Sequence, residues 1–209
     1  MIAVHAVVAV KGFERGKHRL ASVLTEAQRH LLIKTMLNDV LDALRAAPGI
    51  ASINVLSSDV GVLSNDVEQI VDPGTGLNAA VANAARVLSN DGAHSMLLLP
   101  ADLPLVTVDD INALLAAAKE HDAVIAPDAR HAGTNALLLT PPLLIEPQFG
   151  EQSFTAHVQA IRCSSAKSMH ILERPGLAHD IDVPADLHAL SGGFRKCYQF
   201  IDDALRKAS

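Results

Sequence analysis

At 209 residues, against a prior of roughly 150 per domain, the chain reads as one domain over residues 1–190, long enough to bury a sizeable core, with a C-terminal tail over 191–209. Hydrophobic residues make up 49%, mainly Ala, Val, Leu and Ile with no Trp and one Tyr, and the formal net charge is -6, which together argue against a nucleic-acid partner. No apolar run approaches the ~18 residues of a membrane span, and the first residues enter a strand-like stretch without a positive leader, so a cytoplasmic address is expected.

In chain order, a first strand is predicted over 2–10. A helix follows over about 25–46, where Leu32, Met36, Val40 and Leu44 recur at four-residue spacing, Thr25 and Gln28 make a capping box, and Pro48-Gly49 ends the pattern. Short strands over 53–56 and 68–71, a helix over about 78–88 and a central strand over 96–99 come next. The unbroken Met-Leu-Leu-Leu of that central strand is what a parallel strand covered on both faces requires. Thr107 can cap a further helix. Strands over 123–126, 136–139 and 169–172 follow, with a helix after Ser153 that turns Phe154, Val158 and Ile161 inward. Residues 196–207 read as a helix packed on the body or on a second subunit, the latter making a homodimer. This alternation predicts an α/β fold with a mostly parallel twisted sheet, helices on both faces and right-handed crossovers. Cys163 and Cys197 lack metal-type spacing and the ten His residues contain no His-Glu-x-x-His pair, so reduced thiols and no zinc are expected.

Four loops carry candidate chemistry. The central strand stops at Asp102, held between Pro100 and Pro104, where ligands of open α/β sheets gather. The loop after the first strand concentrates Lys11, Lys17 and Arg19 in an acidic protein, a set suited to a polyphosphate, although it is not a P-loop. Asp72 to Ala79 follows a strand and opens a helix, so the backbone N–H groups of Gly76-Leu77-Asn78 can meet a phosphate, ribose or base. It also fits the loose fingerprint Gly-x-Gly-x-x-Ala of nicotinamide oxidoreductases, but the acidic residue expected ~20 positions onward is missing from the end of the next strand. In the fourth loop, Asp180 and Asp182 are expected to part to opposite faces, so that one of them shares a site with Asp102. Two carboxylates from distant loops suit a magnesium ion bridging triphosphate oxygens. Pro184 fits a helix's first turn, and Asp186 is assigned a structural place there.

Together the segments resemble the guanylyltransferases of deazaflavin coenzyme F420 biosynthesis, among nucleotidyltransferases related to molybdenum-cofactor guanylyltransferase. The carrying residues are Lys17-His18-Arg19-Leu20, Gly76-Leu77-Asn78, Pro100-Ala101-Asp102-Leu103-Pro104, Gly133-Thr134-Asn135-Ala136-Leu137, Phe149-Gly150-Glu151-Gln152-Ser153-Phe154 and the run Asp180 to Leu187. Ala9 and His18 depart from the usual pattern, and the tail after Ser191 lies outside it. The resemblance implies a three-layer α/β/α Rossmann-like nucleotidyltransferase fold. It implies that the phosphate of a small phosphorylated carboxylic acid attacks GTP, with phosphoenolpyruvate, 2-phospho-L-lactate and 3-phospho-D-glycerate as the acceptors left open. On this reading Lys11, Lys17, Arg19 and Asp102 are catalytic. Mg2+ sits on Asp102 and Asp182 with Asp180 in reserve, Gly76, Leu77 and Asn78 lie by the nucleoside, and Thr134, Gly150 and Ser153 hold the acceptor. The alternatives are a nucleotidyltransferase for a sugar or pterin phosphate and a non-catalytic nucleotide-binding domain.

Overall fold

The computed structural model describes residues 3–10, 16–58, 66–72, 74, 76–191 and 194–208. Within them the aliphatic runs form β1 (Val4–Ala9), β2 (Ile50–Ser57), β3 (Glu68–Val71), β4 (Ser95–Pro100), β5 (Ala123–Pro127), β6 (Thr134–Leu139) and β7 (Met169–Ile171). The helices are α1 (Glu26–Arg45), α2 (Leu77–Asn90), α3 (Val108–Ala117), α4 (Ser153–Cys163), α5 (Pro175–Ala178) and α6 (Gln199–Ala208). The strands make one sheet in the order β3-β2-β1-β4-β6-β5-β7. All pairings are parallel except those of β6, which runs antiparallel to β4 and β5.

Side-chain alternation sends each central strand's residues to two separate apolar layers. Ala6, Val8, Leu97 and Leu99 face Val40 and Leu44 of α1 and Ile111 and Leu114 of α3. Val7, Met96 and Leu98 face Val81, Ala84 and Leu88 of α2 and Ile161 of α4. The result is the expected three-layer α/β/α arrangement. A third cluster joins Leu20, Leu24, Leu32 and Met36 to Leu187, Leu190, Tyr198 and Ile201, so the C-terminal segment packs on the body of its own chain.

Helix starts follow local chemistry. At α1 the Thr25 hydroxyl accepts from the Gln28 N–H at 3.3 Å while the Gln28 side chain accepts from the Thr25 N–H at 2.9 Å, the predicted box. Thr107 caps α3 in the same way with Asp110, a partner the sequence reading had not named. Pro184 does open a helical segment, but Pro184–Leu190 winds as a 3-10 helix. No helix among the described residues is long and apolar enough to cross a membrane.

The sheet order places β1 next to both β2 and β4, so the connections leave β1 on opposite sides and open a crevice beyond the carboxyl ends of β1 and β4. Because β6 is reversed, its first residue, Thr134, arrives at that same edge. The reversal follows from the short connection, residues 128–133, since a parallel crossover needs a dozen or more residues. Asp128 closes this turn by accepting from the N–H groups of Arg130 at 3.2 Å and Ala132 at 2.8 Å.

Candidate active site

Beyond β4 the chain is fixed on both sides of Asp102. The Ala101 N–H donates to the Ala9 carbonyl at 3.1 Å, and the Asp102 carbonyl accepts from the Ile181 N–H at 3.3 Å. Ile181 is fully buried, which anchors the fourth loop and turns its two carboxylates toward the crevice. Carboxylate oxygens of Asp102, Asp180 and Asp182 all lie within 4.8 Å of one another. The expectation that Asp180 and Asp182 part to opposite faces is therefore corrected. Side chains alternate residue by residue, so positions two apart share a face, and Ile181 between them takes the other. Asp186 takes its structural place by accepting from the N–H groups of Asp182 at 2.7 Å and Val183 at 2.8 Å.

Lys17 reaches into this acidic cluster from the turn before the 3-10 segment His18–Leu20. Its ammonium donates to Asp102 Oδ2 and, at 2.8 Å, to Asp182 Oδ1. Burial alone would push the Lys17 pKa down, but the charges of Asp102 and Asp182 outweigh it and hold the ammonium above the ordinary lysine range. Burial and the neighbouring Asp102 charge raise the Asp180 carboxyl, against the opposing hydrogen bond from Asn135. Three convergent carboxylate oxygens, partly open to solvent, form a donor set that fits a hard divalent cation, and the Lys17 ammonium supplies positive charge to the same oxygens.

The cluster forms one wall of a cavity of about 520 Å³. Lys17, Arg19, Asp102, Asp180 and Asp182 line it together with Leu77, Thr134, Gly150 and Ser153. Gly150 has φ +142°, a conformation a side chain would resist, and a Cβ there would meet open space. Ser153 is the first residue of α4 and is buried. Gly76, the residue just before α2, has φ 101°. The Asn78 amide is engaged with backbone: it accepts from the Phe149 N–H at 2.6 Å and donates to the Phe149 carbonyl at 3.0 Å, which holds the loop carrying Gly150. Lys11 lies outside the described residues.

Sequence reading gave no role to three residues around this cavity. Asp128 lines it while closing the β5–β6 turn. Asn135 donates to the Leu177 carbonyl at 2.9 Å and to Asp180 Oδ1 at 3.4 Å. His157, fully buried, bonds Thr134 Oγ1 at 3.0 Å and the Gln148 N–H at 2.9 Å. Its signal was its place one helical turn after Ser153, on the same face of α4.

Known proteins resemble the chain along nearly its whole length. The family described as "Guanylyl transferase CofC like" matches residues 4–203. The phosphoenolpyruvate guanylyltransferase of Rubrobacter xylanophilus is 42% identical over 199 residues, covering 92% of this chain and 96% of that protein. That of Sphaerobacter thermophilus is 40% identical over 191 residues, covering 90% and 92%. The 3-phospho-D-glycerate guanylyltransferase of Phenylobacterium zucineum is 32% identical over 197 residues, covering 90% and 89%. Among solved structures, a protein of Desulfovibrio desulfuricans G20 named as a nucleotide-diphospho-sugar transferase superposes with a TM-score of 0.82 at 18% identity, covering 100% and 99%. One from Mycobacterium tuberculosis H37Rv, solved with manganese, gives 0.57 at 17%, covering 90% and 97%. Those identities speak for the fold alone. The match across residues 4–203 and the relatives' identity over almost their full length lead to one conclusion: the chain belongs to the CofC-like guanylyltransferase family.

Proposed function

We propose that the chain transfers GMP from GTP to the phosphate of a small phosphorylated carboxylic acid, phosphoenolpyruvate first among them, releasing pyrophosphate in coenzyme F420 biosynthesis. The carrying observation is that the carboxylate–lysine cluster and the acceptor wall of Thr134, Gly150 and Ser153 line a single cavity. An oxygen of the acceptor phosphate forms a bond to the α-phosphorus, the bond from that phosphorus to the bridging oxygen breaks, and pyrophosphate departs with the electron pair. No covalent enzyme intermediate is needed, so the protein's part is positioning and charge neutralisation.

Lys11, Lys17 and Arg19 are assigned to the triphosphate. Lysine acts as a point charge, while arginine at the exposed rim offers a bidentate fork. Magnesium, when held by Asp102, Asp182 and Asp180, supplies Lewis-acid charge against the phosphate oxygens. Gly76, Leu77 and Asn78 border the nucleoside, Asn78 through the Phe149 loop it holds. The buried Thr134 and Ser153 hydroxyls and the open backbone at Gly150 suit a compact anion. Phosphoenolpyruvate is preferred because relatives of that name share 40% and 42% of residues, against 32% for the 3-phospho-D-glycerate enzyme. The free, exposed Cys163 and Cys197 suit a reducing cytoplasm.

The test is pyrophosphate release from GTP and magnesium with each of phosphoenolpyruvate, 2-phospho-L-lactate and 3-phospho-D-glycerate, with ATP and CTP as controls. Release is expected with GTP and phosphoenolpyruvate, lost on chelation, and lowered about 100-fold or more in Asp102→Asn. Turnover and metal dependence left intact in that variant would contradict the site. Silence with all three acids would contradict the reaction.

A further inference from the structure

His157 takes no charge or atom in the reaction above, yet it joins two sides of the acceptor wall. Its ring is fully buried. Nε2 lies 2.9 Å from the backbone nitrogen of Gln148, and Nδ1 lies 3.0 Å from Thr134 Oγ1. A backbone N–H can only donate, so Nε2 must present its lone pair. Burial pushes the ring's pKa down to about 4, so near neutral pH it is uncharged and holds one proton. With Nε2 as acceptor, that proton is on Nδ1, which therefore donates to Thr134 Oγ1. The threonine hydroxyl, accepting from the ring, must send its own proton elsewhere. Among the described residues Thr134 Oγ1 has no second partner, and Thr134 lines the cavity.

We infer that His157 is a positioning residue: through its Nδ1–H it makes the Thr134 hydroxyl an obligate donor to the acceptor's anionic group, and through Nε2 it pins the loop that carries Gly150. The inference rests on the reaction proposed above. An oxyanion offers only lone pairs, so a hydroxyl whose rotor is fixed as donor is pre-organised for it, whereas a free hydroxyl divides its time between donor and acceptor poses. The loop is held firmly. The Phe149 ring meets the His157 ring edge-on with centroids 4.6 Å apart, and the Asn78 amide brackets the Phe149 backbone.

Substitution can separate the two bonds, because an Asn side chain places an N–H donor near the Nδ1 position and a Leu places none. With saturating GTP and magnesium, His157→Leu should raise the KM for phosphoenolpyruvate about ten-fold or more, the scale of one hydrogen bond to a charged group, and leave the KM for GTP within about two-fold. His157→Asn should recover most of that rise. Thr134→Val should match His157→Leu, and the double variant should be no worse than either. Nitrogen NMR of the wild type should show His157 protonated at Nδ1 between pH 6 and 8. An Nε2-protonated ring, an unchanged acceptor KM in Thr134→Val, or additive losses in the double variant would overturn the inference. A wild type that turned over none of the acids would instead remove the reaction on which it rests.

Discussion

Lys17 concentrates the site's electrostatics in one side chain. Its backbone sits in the left-handed region, φ 59° and ψ 35°, which costs a residue with a Cβ about 1–2 kcal/mol and directs the side chain over β4's end. There the ammonium holds Asp102 and Asp182, two of the three carboxylates that a divalent cation would need. Lys17→Ala should therefore lower turnover and leave three carboxylates without that charge. The stability loss should be about 1 kcal/mol, since Asp182 is half exposed and solvent screens the pair. Added magnesium should raise the variant's thermal midpoint more than the wild type's, because the competing ammonium is gone. Equal shifts in the two proteins would refute the competition. The pH dependence has a definite sign. A raised lysine pKa means the pair's contribution is complete below about pH 10.5, the ordinary value, and is lost only as pH rises through the higher folded value. His157 behaves oppositely. Its folded pKa of about 4 lies below the ordinary 6.5, so the unfolded chain binds the extra proton first and stability falls as pH drops through that window, by about 3 kcal/mol in all. Thermal midpoints from pH 7 to 4 should show this slope, reduced in His157→Asn.

At the scale of elements, the site depends on how α3, α5 and the fourth loop are tied together. Asp110 completes the capping box of α3 and accepts from Arg174 Nε at 2.8 Å, just before α5 begins. Gly176 of α5 packs so closely that a Cβ would meet the Leu105 carbonyl at 2.8 Å. Asn135 of β6 then binds the Leu177 carbonyl, and the loop carrying Asp180 and Asp182 follows. Asp110→Ala removes a cap and the buried carboxylate of an ion pair whose Arg174 half is partly exposed, so it should cost about 2 kcal/mol, read as a lower urea midpoint, and loosen metal binding with it. A midpoint within experimental error of the wild type would contradict the linkage. Much of this scaffold was legible in the sequence. Thr25, Thr107 and Pro184 mark helix starts because capping chemistry is local, and the aliphatic runs mark strands because each must cover both sheet faces. Asp110, Arg174 and Gly176 were not legible as a set, since they meet only after the chain has returned across the sheet. Likewise the direction of β6 is absent from its hydrophobic pattern, and only the short 128–133 connection reveals it.

For the molecule as a whole, sheet topology decides which residues can cooperate. Parallel β1 and β4 deliver Lys17 and Asp102 to one edge, and reversed β6 delivers Thr134 to the same edge, so residues more than a hundred positions apart share a cavity. The C-terminal segment enters this arrangement from behind. Tyr198 and Ile201 are fully buried against Leu32 and Met36 of α1 and against Leu20 and Leu24. The Tyr198 hydroxyl and Arg195 both bind Asp39 on α1, Arg195 at 2.6 Å. Met36 also lines the cavity, and Leu20 ends the 3-10 segment that follows Lys17. Treating 191–209 as an appendage to a domain over 1–190 predicts that removing 195–209 leaves the rest intact, whereas the packing predicts otherwise. Losing two fully buried side chains of this size should cost about 4 kcal/mol, a fall of about 10 °C in thermal midpoint for a domain this long. With its apolar backing gone, the Lys17 turn should lose its register over the triphosphate, so kcat/KM for GTP should drop more than the acceptor KM rises. Melting curves and initial rates on the shortened chain check both parts. Unchanged values would make the tail dispensable to the catalytic body, while a loss confined to the midpoint would show that Leu20 holds the Lys17 turn without help from behind.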